Sequence, residues 1–152
     1  MADPLSILGA ISAAAGLIEL TIKITKGLND IRKVYNDVPG TLRQIEKECT
    51  TLSSATTKLQ TWMRTAFQDD FDDRYIDLAI ALQNFQPSLR DLSNDIEEIT
   101  ESVPSDTRIG SLVITKKKKL KYVWNEERMK AHLESVRWEG VNLGFLLQAT
   151  EL

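Results

Sequence analysis

The chain has 152 residues, 42% of them apolar and 27% charged, with a formal net charge of -3, seven Gly, four Pro and one Cys. A disordered tail is poorer in apolar residues and a collagen-like or linker chain far richer in Gly and Pro, so both are excluded. What remains is one globular domain over residues 1–152, long enough to bury roughly two-thirds of its unfolded surface.

The first charge is Asp3, and no Arg or Lys precedes Lys23, so the start does not read as a secretory signal. With Cys49 as the lone cysteine, an internal disulfide is impossible, and the expectation is an intracellular, cytoplasmic chain. Cys49 and His132 are also the only thiol and the only imidazole, too few for zinc ligand sets. No glycine opens a phosphate-binding Gly-x4-Gly-Lys-Ser/Thr loop. Asp69, Asp70, Asp72 and Asp73 lack the glycine and distal Glu of a calcium loop and read better as acidic capping of the helix that follows. The expectation is a protein that is not an enzyme and holds no cofactor or metal.

Asp3-Pro4 is a helix start, Asp capping and Pro giving up an N–H that has no partner there. From Pro4 to Ile18 there is no charge. Leu8, Ile11, Ala15, Ile18 and Ile22 share one face of this helix, and Ile7, Ala10, Ala14, Leu17, Ile24, Leu28 and Ile31 share another. Apolar on two faces, it is expected to be buried on both, as a central helix of a soluble bundle. Gly9 with Ala13, and Ser12 with Gly16, are small residues four apart that permit close contact with a neighbour. The uncharged stretch spans roughly 22 Å, against a hydrocarbon core of about 30 Å. It is too short for a constitutive membrane span; extended to Ile22 or Ile24 it would reach, carrying Glu19 into or near the membrane.

Pro39-Gly40 begins a second helix, with Thr41 as its expected N-cap and Leu42, Ile45, Cys49, Leu52, Leu59, Met63 and Ala66 along its seam. A third seam runs through Phe71, Tyr75, Leu78, Leu82, Phe85, Leu89, Leu92, Ile96, Ile99 and Val103, staying in phase across Pro87 and predicting one long kinked helix. The last seam is Met129, Leu133, Val136, Gly140, Leu143 and Leu147, entered at Asn125 with Glu126 and Glu127 suiting the helix dipole. Trp62, Trp124 and Trp138 read as packing residues, His132 as a boundary residue and Cys49 as a buried small hydrophobe. The predicted fold is all-α, an antiparallel bundle of about four to five long helices whose short turns join adjacent neighbours, with a buried, strongly apolar N-terminal helix.

Charge is unevenly placed. Residues 69–106 carry 11 acidic and 2 basic groups, and residues 107–130 carry 8 basic and 2 acidic ones. Such a split either holds neighbouring elements together or offers a basic patch to an anionic partner. Lys116, Lys117, Lys118, Lys119 and Lys121, beside Tyr122 and Trp124, suit a solvated loop first and anionic lipid head groups second. Nucleic acid is not expected as a partner, because the rest of the chain is acidic.

Met1 to Ile11, followed by small residues and Gly16-Leu17-Ile18-Glu19-Leu20, resembles the opening of the HeLo-like N-terminal domains of fungal NOD-like (STAND) receptors. Lys119 to Met129, with its downstream seam, resembles that family's last helix; the central helices match only as generic bundle. The resemblance implies a cell-death effector that targets membranes through self-association and its N-terminal helix, relocating from cytoplasm to membrane when activated. It also implies an upstream nucleotide-binding or amyloid-signalling module as partner. On that reading Leu5, Ile7, Leu8, Ile11, Leu17, Ile18 and Leu20 are the membrane-inserting candidates and Glu19 the pore-lining one. The five lysines and Trp124 are the lipid head-group candidates. The alternative is a soluble signalling or adaptor domain that binds another helical domain and never touches lipid.

Overall fold

The computed structural model describes residues 7–34, 38–66, 73–101 and 124–151. They form four long helices, α1 (Ile7–Val34), α2 (Gly40–Ala66), α3 (Asp73–Glu101) and α4 (Glu126–Glu151), and no strand occurs among them. The all-α bundle expected from the seams is the fold. α1 packs on α2 and α3, and α4 packs on the same two helices, so α1 and α4 occupy opposite corners, as do α2 and α3.

The partners across each contact fix the directions. Gln60 reaches Ile11 while Arg32 reaches Glu46, so α1 and α2 run antiparallel. Gln86 reaches Ala13 while Lys23 reaches Glu97, so α1 and α3 run parallel. α4 is antiparallel to α3, through Arg128 and Asp95, and parallel to α2. The connection between α2 and α3 therefore crosses the diagonal instead of joining neighbours, a departure from the simple up-down arrangement expected.

The seams become the core. Leu42, Ile45, Cys49, Leu52, Leu59 and Met63 are buried from α2, and every described seam position of α3 from Leu78 to Ile99 is buried with them. Helix α3 runs continuously through Pro87, which lies on an exposed face where water can replace the bond that the ring removes. Hydroxyls that the core encloses bond back to their own helices: Thr21 Oγ1 donates to Ile18 O at 2.8 Å and Thr56 Oγ1 to Leu52 O at 2.7 Å.

Two expected details are corrected. Thr41 lies inside α2 and does not cap it: Leu42 N–H donates to Pro39 O at 3.1 Å, and the Thr41 hydroxyl donates to the Glu126 carboxylate. In α4 the seam passes through buried Glu139, with Gly140 only half-buried beside it. The start of α4 is as expected, since Asn125 Oδ1 accepts the Arg128 N–H at 3.1 Å and caps the helix.

Candidate functional site

Helix α1 buries one of its two apolar faces. Ala10, Ala14, Leu17, Ile24, Leu28 and Ile31 are enclosed by α2 and α3. The other face is open: Leu8 is 64% and Ile22 59% exposed, Ala15 is exposed, and Ile11 and Ile18 are half-buried. The expectation of a helix covered on both sides is corrected, and the reason is its corner position, with two neighbours where a central helix would have more.

Close approach to α3 depends on a glycine that the small-residue pairs did not single out. A Cβ on Gly27 would stand 2.5 Å from Ile96 Cγ2, whereas one on Gly16 would meet only the amide of Gln86 at 3.1 Å. Ala13 is buried in the contact. The signal for Gly27 in the sequence was one glycine in a helical pattern, which spacing alone does not separate from a helix defect.

The polar links along α1 are distributed unequally. Toward its C-terminal end, Lys23 Nζ lies 3.5 Å from Glu97 and Arg32 3.1 Å from Glu46. The neighbouring ends of α2, α3 and α4 add a clasp. Asp95 Oδ2 accepts from Arg128 Nε at 2.5 Å and bonds His132 Nε2 at 2.6 Å. Glu126 accepts from Thr41 and, at 2.6 Å, from Trp124 Nε1. Burial works to raise the Asp95 carboxyl, but the hydrogen bonds and charges of Arg128 and His132 outweigh it and hold the group below the usual carboxylate range. The bond from Thr41 does the same for Glu126. This pairing of α3 acid with α4 base realises part of the charge split read in the sequence.

Toward its N-terminal end, α1 is held by apolar contact and by side-chain amides. Gln60 Nε2 donates to Ile11 O and Gln86 Nε2 to Ala13 O, both at 3.3 Å. Among the described residues, every ion pair between helices lies nearer the other end. An 18-residue window of α1 has a mean hydropathy of 1.5, and α1 is the one described helix long and apolar enough to cross a membrane, a test that the core helix of a soluble protein also passes. The whole helix, about 39 Å long, exceeds the bilayer core, but it carries Glu19, Lys23, Lys26, Asp30, Arg32 and Lys33, so a span of sufficient length takes in charges that the uncharged stretch avoids.

The site candidates fall on both sides of this helix. Leu8 is on the open face, Ile11, Ile18 and Leu20 are half-buried, and Leu17 is in the core. Glu19 is exposed in mid-helix, beside a groove of about 260 Å³ that it shares with Lys23, Gln86 and Arg90. Leu5, Lys116 to Lys119 and Lys121 lie outside the described residues, and the described part of α1 begins at Ile7. Trp124 is packed, with its indole N–H committed to Glu126. Trp138, by contrast, is 67% exposed, not the packing residue expected, and Phe145 is equally open.

One buried ionisable group escaped the sequence reading. Glu139 is only 5% exposed, and among the described residues its Oε2 has no hydrogen-bond partner. Burial pushes its carboxyl up to about 7, against the opposing hydrogen bond to Ser88. Cys49 lies near it, and burial together with that carboxylate pushes the thiol up to about 12, so it stays neutral. The available signal was spacing: Glu139 stands three after Val136 and four before Leu143, on the buried stripe.

The chain matches no known family model, and neither a curated protein nor a solved structure matches it.

Proposed function

We propose that this domain is a membrane-active effector of the cell-death and innate-immune type, and that it self-associates and commits α1 to the bilayer. The observation that carries the reading is the asymmetry of α1. One apolar face is already open, and its N-terminal half is tied to the bundle by apolar burial with Gln60 and Gln86 bonding its backbone, while the interhelical ion pairs among the described residues lie along the other half. An amide bond of that kind contributes about 0.5–1.5 kcal/mol, so releasing that half costs chiefly the burial of Ala10, Ala13, Ala14 and Leu17, which contact with lipid tails replaces. In an inserted assembly Glu19 turns to the water-filled side, because a carboxylate facing lipid is costly, and a ring of such groups favours cations.

The test is leakage of anionic vesicles. The parent chain releases their contents, and a chain lacking residues 1–22 does not. Leu8→Glu is the cleaner variant, since an exposed position accepts charge without loss of fold. It lowers leakage at least tenfold while the helical circular dichroism is kept, and Glu19→Gln reduces cation selectivity in planar bilayers. Full leakage by folded Leu8→Glu protein overturns the membrane reading. An inert parent chain in its assembled state favours the adaptor reading instead.

A further inference from the structure

A groove of about 540 Å³ runs between α3 and α4, flanked by exposed Trp138 and Phe145, with Phe85, Leu146 and Glu139 along its floor. Two large aromatic side chains at 67% exposure, seven residues apart on one helix, make a continuous apolar rim about 10 Å long. On the opposite corner of the bundle, α1 carries Ile18, Ile22 and Lys26 in four-residue steps along its outer face. Lys26 is exposed, and no described residue pairs with it.

We infer that the α3–α4 groove receives the outer face of α1 from a second copy of this chain, in a head-to-tail contact. With the incoming α1 antiparallel to α4, Ile22 at the level of Asn142 sets Ile18 against Phe145 and Leu146, and Lys26 over Trp138. Lys26 then meets the face of an indole ring, a favourable cation–π position, above the carboxyl of Glu139. That carboxyl is buried in the floor of the groove with no partner for its Oε2 among the described residues, so a cation above it favours its charged form.

Charge complementarity separates this occupant from a symmetric contact of α4 with α4. The α4 residues that line the groove, Trp138, Glu139, Asn142, Phe145 and Leu146, include no cation; exposed Lys130 lies beyond Glu134 and outside the groove, and Arg137 is engaged by Glu48, Glu134 and Gln44. Since α1 and α4 are diagonal, one chain cannot satisfy its own groove, and the contact propagates from copy to copy until it closes as a ring or continues as a filament. This inference gives a geometry to the self-association in the proposed function as it stands before insertion, since the face of α1 seated in the groove is the one that the bilayer would take, and it rests on the self-association alone. Its assay contains no lipid, so its failure leaves vesicle leakage by α1 untouched.

Sedimentation velocity of the purified chain tests it. The parent associates with rising concentration. Trp138→Asp and Ile22→Asp, both at exposed positions, are each monomeric with unchanged helicity, yet an equimolar mixture forms a 1:1 dimer, because each retains the surface the other lost. Adding Lys26→Glu to the Trp138→Asp copy, which supplies the intact α1, weakens that dimer at least tenfold. Adding it to the Ile22→Asp copy changes nothing. A parent that stays monomeric overturns the inference, as does a mixture without dimer. Association lost with Trp138→Asp but kept with Ile22→Asp overturns it too, and shows a symmetric α4 contact. If either Asp variant loses helicity, Trp138→Gln and Ile22→Gln take their places under the same criteria.

Discussion

At one end of the bundle, where α1 finishes and α2 and α4 begin, charged and polar side chains fasten the helices: Asp95 with Arg128 and His132, Glu126 with Thr41 and Trp124, Arg32 with Glu46. At the other end, around Ala10, Ala14, Leu17, Leu59, Met63, Leu78 and Leu82, the contacts are mainly apolar, with Gln60 and Gln86 bonding the α1 backbone. The polar clasp is directional and sets register, whereas the apolar end gains its stability from area and tolerates replacement of one apolar surface by another. A bilayer is such a surface. On the proposed function, the same helix is a structural element at one end and a releasable one at the other.

Core truncation gives the largest effect and weighs the two ends directly. Leu82→Ala toward the apolar end and Leu92→Ala nearer the clasp each cost about 2–5 kcal/mol in denaturant unfolding. Unequal slopes of the unfolding transition would show that the two ends open in separate steps.

Glu139 probes the same contrast from within, because it is an ionisable group set among apolar residues. Its folded-state pKa, about 7, lies above its unfolded value near 4.5, so its contribution is complete below the latter and is lost as pH rises through 7. Glu139→Gln removes that loss. At pH 8, where the parent carboxyl has ionised at the expense of folding, the variant is more stable than the parent by about 3 kcal/mol, and thermal melts across pH 4–9 check it.

Asp95 titrates in the opposite direction. Its folded pKa is depressed, so its contribution is present above the unfolded value of about 3.8 and disappears as pH falls through the lower folded value. Asp95→Asn costs about 1–3 kcal/mol at neutral pH and little at pH 2, read from melts at both values.

Glycines give the smallest effects, and of opposite sign. Gly27→Ala destabilises by about 1 kcal/mol, since Ile96 is β-branched and stiff and cannot clear the new methyl without moving α3. Gly140→Ala, with nothing near the added carbon, stabilises by up to about 1 kcal/mol through helix propensity. Thermal melts of both variants beside the parent read the two signs.

The bundle was legible because period reports which side of a helix is apolar, and α2 and α3 each have one such side. α1 has two, and period says nothing of how many neighbours are available to cover them; only the diagonal placement decides that Leu8 and Ile22 face outward. Trp138 was misread for a related reason. Its size suggests burial, but its position relative to Val136 and Leu143 puts it off the stripe that Glu139 occupies. The partner of Thr41 was illegible because it lies 85 residues away, and those of Asp95 because they lie 33 and 37 away, across contacts that no local pattern encodes.

Site-resolved native-state hydrogen exchange along α1 is the most direct test of the unequal attachment on which the functional reading stands. Amides of residues 8–20 are predicted to exchange through an opening of lower free energy than global unfolding, while those of residues 21–33 exchange only with it. Uniform protection of α1 at the global value would mean that both ends are held alike, and the unequal attachment would be refuted.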